Sequence, residues 1–118
     1  MKKENRIKKN EEFQSIIKHN KSKSNRYYVL YYANRKHDYD RIGISVGKKS
    51  GNAVVRNKIK RQVRMMLQEL CDFNSGYDYI LIIRKNYDIS QYQQNKKELS
   101  LLYNSVYNKQ GQTFTKEN

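Results

Sequence analysis

A basic stretch between Gly51 and Arg64, GNAVVRNKIKRQVR, is the part of this sequence whose residue types indicate a chemistry. No acidic residue interrupts the stretch, and its basic side chains surround Asn57: Arg56, Lys58, Lys60, Arg61 and Arg64. On a helix, Arg56, Lys60 and Arg64 are successive i,i+4 like charges, a spacing that costs a few tenths of a kcal/mol per pair. Because nothing nearby in the sequence compensates this repulsion, the stretch predicts an anionic partner.

The apolar residues of the same region predict the helix that positions these charges. At ~100° per residue they share an arc of roughly 120°, which is typical of a helix face that docks on a sheet. The residues on this face are Val55, Ile59, Val63, Met66, Leu67 and Leu70. The preceding segment, Gly47–Asn52 (GKKSGN), predicts a turn, and Asn52 is a candidate N-cap.

Charge is distributed unevenly along the 118 residues, which carry a formal net charge of +14. Residues 65–118 hold six basic and six acidic residues, so the whole excess lies in residues 1–64. Between Arg41 and Arg64 there are eight Lys or Arg and no Asp or Glu, so all eight charges are expected to be uncompensated. A single basic helix is often only a solvated face, but a one-sided field of this size favours a polyphosphate partner.

The first half of the chain predicts one helix and two strands. Asn10 is a candidate cap for an amphipathic helix that contains Phe13, Ile16 and Ile17 and ends at Asn20. The β-formers of YYVLYY (27–32) and the alternating apolar residues of Arg41–Val46 predict strands. The polar segment Asn34–Asp40 between them is consistent with a hairpin loop, and 21–26 is a weak candidate for an extra edge strand.

The second half predicts a buried strand and a final helix. Tyr77–Ile83, YDYILII, is nearly unbroken in its apolar character and suits a central strand covered on both faces. A helix beginning near Ser90 follows. The order α-β-β-(β)-α-β-α predicts one small α+β domain, an α/β sandwich with the basic helix as a crossover between strands. We expect a single domain over 1–118, with an ordered core at about 5–107 and a flexible tail at 108–118.

Residues of catalytic type are sparse in this sequence. His19 and His37 lie in polar surroundings typical of exposed side chains and outside any metal-ligand spacing. Asp38 and Asp40 are expected to be solvated turn residues. Cys71, the only cysteine, is expected to be a buried or helix-end thiol rather than a nucleophile. No metal site and no protein-borne catalytic residue is therefore predicted.

The block ISVGKKSGNAVVRNKIKRQVR resembles the signature of the bacterial ribonuclease P protein component. In that family a strand leads through a lysine-containing turn into an A-V-x-R-N-R-x-K-R helix. The opening RIKKNEEFQSII is similar to the family's first helix, and the resemblance extends from about Asn5 to Tyr107. Two positions depart from the pattern: Lys58 replaces the second arginine and lacks its planar fork, and Gly47 stands where serine is usual.

The resemblance implies a subunit of a ribonucleoprotein that removes the 5′ leader from precursor tRNA, with the catalytic centre in the RNA subunit. Its partners would be ribonuclease P RNA and precursor tRNA, with no obligate protein partner, and Mg²⁺ would be required by the ribonucleoprotein without confident protein ligands. The residues implied in binding the RNA subunit are Lys48, Lys49, Asn52, Arg56, Asn57, Lys58, Lys60, Arg61 and Arg64. The positions implied in leader binding, in a cleft between the first helix and the sheet, are Phe13, Ile17, Val29 and Tyr31. The family also implies a left-handed crossover, against the usual right-handed preference.

Several alternatives remain open at this point. Phe13 and Ile17 have the spacing of ordinary core residues, and only one of the two alternating sets in YYVLYY can face outward as a stacking platform for bases. A ribosomal or other structural RNA-binding protein could use the same basic helix, and a protein-only nuclease would need carboxylates that the sequence does not assemble. No apolar run approaches the ~20 residues of a membrane span, and MKKENRIKKN has no signal-peptide character, so we expect a cytoplasmic protein.

Overall fold

Three helices and four strands form the part of the chain described by the computed structural model, residues 1–107. The helices are α1 (Asn10–His19), α2 (Ala53–Leu70) and α3 (Tyr92–Val106). The strands are β1 (Lys21–Ser24), β2 (Tyr28–Asn34), β3 (Arg41–Val46) and β4 (Tyr77–Ile83). Short 3₁₀ turns occupy Lys3–Asn5 and Lys48–Ser50. The structure confirms the weakly indicated edge strand, and the flexible tail predicted for 108–118 lies outside the described residues.

The sheet has the order β1-β2-β4-β3, so the hairpin predicted between β2 and β3 is wrong. β4 lies between these two strands, antiparallel to β2 and parallel to β3. The reason is that β4 is the most apolar strand and is buried best with a neighbour on each side. Parallel β3 and β4 require a crossover, which α2 supplies, as the sequence predicts. The handedness of this crossover stays a prediction.

The two faces of the sheet carry unequal layers. α2 and α3 cover one face with the larger core, whose strand residues include Tyr28, Leu30, Tyr79 and Leu81. The other face carries α1 and a small cluster centred on the buried Ile7, Ile16 and Ile80. Because side chains alternate along a strand, Val29 and Tyr31 lie on the α1 face. The α1 face is therefore the side of the sheet where a cleft can form.

The predicted helix ends are mostly confirmed. Asn52 caps α2, its Oδ1 accepting a hydrogen bond from the Val55 amide at 3.0 Å, and Asn20 ends α1. Lys9, not Asn10, is the N-cap of α1, and its side chain makes no capping bond. Val55 was predicted to face the sheet, but its side chain is 38% exposed. It lies beside Gly51 in the first turn of α2, and Ile59, one turn further on, is the first residue of the apolar face that is buried in the core.

Asp40 is a buried structural residue, so the prediction that it is a solvated turn residue is wrong. Its carboxylate accepts hydrogen bonds from the backbone amides of Ser75 at 2.7 Å and Gly76 at 3.0 Å. Its own backbone amide donates to the carbonyl of Phe73. These bonds connect the start of β3 to the loop that precedes β4, which a local sequence pattern cannot show. Asp38 is exposed, as predicted.

Candidate nucleic-acid interface

The outer face of α2 presents the basic residues that the sequence singled out. Burial of Ile59, Val63 and Met66 fixes the rotation of the helix about its axis. The side chains of Asn57, Lys58 and Arg61 are consequently exposed, and those of Arg56, Lys60 and Arg64 are half-buried. The structure thus places these six residues on one helix, with Asn52 at its N-terminus.

None of the basic residues of α2 forms an ion pair within residues 1–107. Arg56 donates through Nε to the carbonyl of Gly51 at 3.2 Å, which orients its guanidinium without neutralising it. The only carboxylate on α2, Glu69, lies in its last turn and pairs with Lys96 on α3. The positive charge of this face is therefore uncompensated by the described part of the protein.

Arg41 departs from the sequence-based expectation that all eight basic residues from Arg41 to Arg64 are unpaired. It is 7% exposed and contacts two carboxylates, Asp78 on β4 at 2.9 Å and Glu12 on α1 at 2.8 Å. Hydrogen bonding to Asp78 and Glu12 raises the pKa of Arg41, and the hydrogen bond from Arg41 lowers the pKa of Glu12. Because both partners lie outside the basic stretch in sequence, local pattern could not reveal them. Arg41 joins α1 to the sheet.

A shallow apolar strip remains open on the α1 face of the sheet. The strand register places Val29 beside Ile82, and Ile82 beside Ser45, in one row across three strands. All three residues are half-buried. The next row, Tyr31, Ile80 and Gly43, lies closer to α1. The helix covers only part of this face, so the outer row is left as one wall of a cleft.

The four predicted leader-binding residues lie together along this cleft. Phe13 and Ile17 of α1 and Tyr31 of β2 pack around the Ile7, Ile16 and Ile80 cluster and remain half-buried. Val29 continues the surface on β2. The alternative interpretation of Phe13 and Ile17 as core residues is thus correct for part of each side chain, while the rest is accessible at the cleft.

Gly43 permits the close approach of α1 to β3. A Cβ atom at Gly43 would lie 2.5 Å from Cζ of Phe13 and 2.9 Å from Cδ1 of Ile80, which no real side chain tolerates. The absence of a side chain therefore allows the Phe13 ring to lie directly on the strand. This contact sets the depth of the cleft beneath α1.

Lysines border the open strip where β3 ends. Lys48 and Lys49 are exposed on the 3₁₀ turn, and a concave surface lined by Ser45, Ile82 and Lys85 adjoins them. Sequence reasoning missed Ser45, Ile82 and Lys85 as candidate residues. The alternation along β3 and β4 was visible in the sequence, but the register that aligns these strands with Val29 was not.

The remaining residues of catalytic type are the two histidines and Cys71. No group of three or more His, Cys, Asp or Glu residues within 1–107 is arranged to hold a metal ion. His19 and His37 are exposed, as predicted. Cys71 is the half-buried C-cap of α2, and burial raises the pKa of its thiol to about 12, which disfavours the nucleophilic thiolate. Among the described helices, none has the length and apolar character to cross a membrane.

The fold and its surfaces define a class: a small α+β protein with an uncompensated cationic helix beside an apolar cleft, as nucleic-acid-binding proteins have. The family model for ribonuclease P matches residues 1–107. The chain belongs to the ribonuclease P protein component family, and it is accordingly a protein subunit of ribonuclease P in tRNA processing, associated with ribonuclease P RNA.

Relatives and solved structures agree with this assignment. The chain is 48% identical over 101 residues to the ribonuclease P protein component of Bacillus cereus, covering 84% of this chain and 88% of that protein. The RNase P protein of Staphylococcus aureus superposes with a TM-score of 0.73 at 44% identity, over 88% of this chain and 98% of that one. The RNase P protein from Thermotoga maritima gives a TM-score of 0.69 at 31% identity, over 82% and 94%.

Proposed function

We propose that the protein binds RNA through two separate surfaces, α2 for the ribonuclease P RNA and the α1 cleft for the 5′ leader of precursor tRNA. The observation that carries this proposal is the open apolar row beside α1, bordered by Lys48 and Lys49 and distinct from the cationic face of α2. A structural RNA-binding protein needs only the cationic face. The additional cleft favours a substrate-binding role.

The two surfaces differ in the chemistry they offer. The face of α2 presents guanidinium and ammonium groups suited to phosphates, which determine affinity and orientation without reading sequence. The cleft presents Tyr31 and aliphatic side chains to unpaired bases, and stacking on one aromatic ring contributes ~1–3 kcal/mol per base. The family resemblance assigns Lys48 and Lys49 to the RNA subunit. Because they border the cleft, we propose instead that they contact the backbone of a strand lying on Val29 and Ile82.

We further propose that hydrolysis of the precursor tRNA is catalysed by the RNA subunit. The raised thiol pKa of Cys71 supports this division. So does the exposure of His19 and His37 outside any group of residues within 1–107 that is arranged to hold a metal ion. Mg²⁺ would then be required by the ribonucleoprotein and bound by RNA. Since tRNA precursors of bacteria are processed in the cytoplasm, we place the subunit there.

Reconstitution at low magnesium tests the proposal. The purified chain, ribonuclease P RNA and precursor tRNA are combined, and leader removal is measured against each component alone. We expect cleavage only when protein and RNA are both present. A ribosomal or other structural RNA-binding protein would not support this reaction, and cleavage by rigorously RNA-free protein would place the catalytic centre in the chain.

Substitutions separate the two surfaces. Tyr31→Ala should weaken binding of precursor tRNA relative to mature tRNA while leaving affinity for the RNA subunit nearly unchanged, and Tyr39→Ala serves as the matched control outside the cleft. Arg61→Ala should weaken affinity for the RNA subunit, with Lys97→Ala as the charge-matched control on α3. Identical behaviour of Tyr31→Ala and Arg61→Ala in both assays would contradict the two-surface proposal.

A further inference from the structure

The N-terminal segment lies along the outer edge of the sheet, beside β3. Arg6 forms a parallel bridge with Ile42, and the backbone amide of Ile7 donates to the carbonyl of Ile42 at 3.2 Å. The Ile7 side chain is buried with the α1-side cluster. Arg6, the preceding residue of an extended segment, projects toward the opposite side of the sheet, which carries α2.

Arg6 and Arg64 meet there in a recess with no carboxylate in its lining. The recess is lined by Met1, Arg6, Ile7, Lys8, Ile42, Ile44 and Arg64. Three of these residues are cationic, and three are isoleucines. The N-terminal segment and the cationic face of α2 are thus adjacent in the fold although Arg6 and Arg64 are far apart in sequence.

Both guanidinium groups lack adequate partners within residues 1–107. Nε of Arg6 is buried with no hydrogen-bond acceptor, and its Nη2 reaches only the carbonyl of Met1, at 3.4 Å. Arg64 forms no ion pair in the described chain. Burial and the neighbouring charge of Arg6 both lower the pKa of Arg64, as expected for two cations held close together.

An oxyanion between the two guanidinium groups would provide the missing hydrogen-bond acceptors and would neutralise the repulsion between the two cations. Guanidinium groups bind phosphate oxygens through planar, charge-assisted hydrogen bonds, which would supply acceptors to both side chains. Lys60 lies one helical turn from Arg64, about 6 Å along the axis, so the recess continues the cationic row of α2.

We propose that Arg6 and Arg64 together bind one phosphate group, a backbone phosphodiester of the RNA subunit, at the junction of the N-terminal segment and α2. This inference rests on the proposed function of α2 as the RNA-subunit interface. It adds Arg6, which lies outside the basic stretch, to that interface and makes Arg64 half of a shared site.

The first experiment measures binding of inorganic phosphate to the free protein. Melting temperature is followed as phosphate replaces chloride at constant ionic strength, for the wild type, Arg6→Gln, Arg64→Gln, the double variant and Lys2→Gln. Lys2 is an exposed lysine of the same segment outside the recess, so Lys2→Gln is a charge-matched control. We expect each arginine variant to lose the same part of the phosphate response, the double variant to lose no more, and Lys2→Gln to retain it.

The second experiment measures affinity for ribonuclease P RNA as a function of salt concentration. Loss of one phosphate contact should make the slope of log K against log salt shallower by about one unit, in Arg6→Gln, Arg64→Gln and equally in the double variant. Arg6→Lys should retain the slope with weaker binding. The control Lys2→Gln should retain the wild-type slope, and Arg61→Gln, on α2 outside the recess, should lose affinity. Circular dichroism verifies that each variant is folded.

Each contrary outcome overturns a defined part of the inference. A slope for Arg6→Gln equal to that of Lys2→Gln, alongside a loss of affinity in Arg61→Gln, would refute the Arg6 site and leave the α2 interface intact. A loss of two units in the double variant would show two separate phosphates. A phosphate response without any change in slope would show a site for free phosphate rather than RNA. If neither Arg6→Gln nor Arg61→Gln changed the affinity for ribonuclease P RNA, the proposed α2 interface itself would be wrong.

Discussion

Arg41 illustrates how one buried charge determines the shape of the cleft. Its guanidinium contacts Asp78 within the sheet and Glu12 on α1, and Asp78 is only 1% exposed. A buried ion pair adds little net stability, but removing one partner leaves the other charge buried and uncompensated. The position of α1, and with it the cleft wall that carries Phe13, therefore depends on this residue.

We expect Arg41→Met to lower the free energy of unfolding by about 3–5 kcal/mol, because Asp78 would remain buried without a counterion. Glu12→Gln should cost clearly less, since the Glu12 carboxylate is partly solvated and its loss leaves the Arg41–Asp78 pair intact. Urea denaturation at pH 7 measures both values. Equal losses in the two variants would show that Asp78 does not depend on Arg41.

Stability should depend on pH through Glu12. Its pKa in the folded protein is lowered from the ordinary value of 4.5, with the hydrogen bond from Arg41 as the largest cause. The folded state thus binds this proton less readily than the unfolded state, so the contribution is fully present above pH 4.5 and is lost as the pH falls through the lower, folded value. Urea denaturation between pH 3 and 7 should show a smaller loss with acid for Glu12→Gln than for the wild type, and parallel curves would contradict this.

Gly43→Ala tests the close contact between α1 and β3. The new methyl group would overlap the Phe13 ring, and overpacking of this kind costs about 1–3 kcal/mol. We expect a loss of stability together with weaker discrimination between precursor and mature tRNA, because the ring must move. Gly47→Ala is the matched control, since nothing lies within 4 Å of its Cβ position. An equal effect of both substitutions would exclude the contact as the cause.

At the residue scale, the sequence predicted exposure well where side chains meet only solvent. Both histidines are exposed as expected, and so are Asn57 and Arg61 on the arc of α2 opposite its apolar face. Arg41 and Asp40 were misjudged because most of their partners are distant in sequence, although Arg35 is a local partner of Asp40. Asp78 and Glu12 lie 37 and 29 residues from Arg41, and the amides of Ser75 and Gly76 lie 35 and 36 residues from Asp40. Charge patterning reports local neighbours only, and these two residues are defined by tertiary contacts.

Among the elements, α2 combines structural and binding demands in a single helix. Its inner face contributes Ile59, Val63 and Met66 to the core, and its outer face carries like charges one turn apart. Such charges destabilise an isolated helix. The N-cap and the packing against the sheet must therefore hold α2 in place before RNA binds.

Substitution of Asn52 separates capping from RNA contact. Asn52→Ala removes the acceptor for the Val55 amide and should lower the free energy of unfolding by about 1 kcal/mol. Asn52→Ser restores an oxygen acceptor at the cap and should recover most of this loss. If affinity for the RNA subunit also recovers in Asn52→Ser, the residue acts through the helix; persistent loss of affinity in a stable Asn52→Ser variant would indicate a direct contact by the amide.

Element positions along the chain were more predictable than their arrangement. Tyr77–Ile83 and Arg41–Val46 match the predicted strands residue for residue, because apolar runs and alternation are local signals. The placement of β4 between β2 and β3 was not predicted, since strand pairing is decided by burial of the whole sheet. The four cleft residues were placed by family resemblance. Val29 and Tyr31 share the α1 face because side chains alternate along β2, and Phe13 and Ile17 lie beside that face because α1 packs on it.

At the scale of the whole molecule, folding and anion binding should be coupled. Seven basic residues between 48 and 64 have no carboxylate partner in the described chain, and self-repulsion of this kind weakens the compact state. An anion that binds only the folded protein stabilises it by about 2.7 kcal/mol at a hundredfold excess over its dissociation constant. For a domain of this size, that corresponds to a rise in melting temperature of about 10–20 °C.

Melting followed by circular dichroism in sulfate and in chloride at matched ionic strength tests this coupling. Matched ionic strength removes general screening, which both salts provide equally. Sulfate also stabilises proteins by exclusion from their surface, so the triple variant Arg56→Gln, Lys60→Gln, Arg61→Gln measures that general contribution. We expect the wild type to gain more from sulfate than the triple variant does. Equal gains would show that the basic face has no preformed anion sites, and RNA binding would then have to order α2 by contacts other than phosphate.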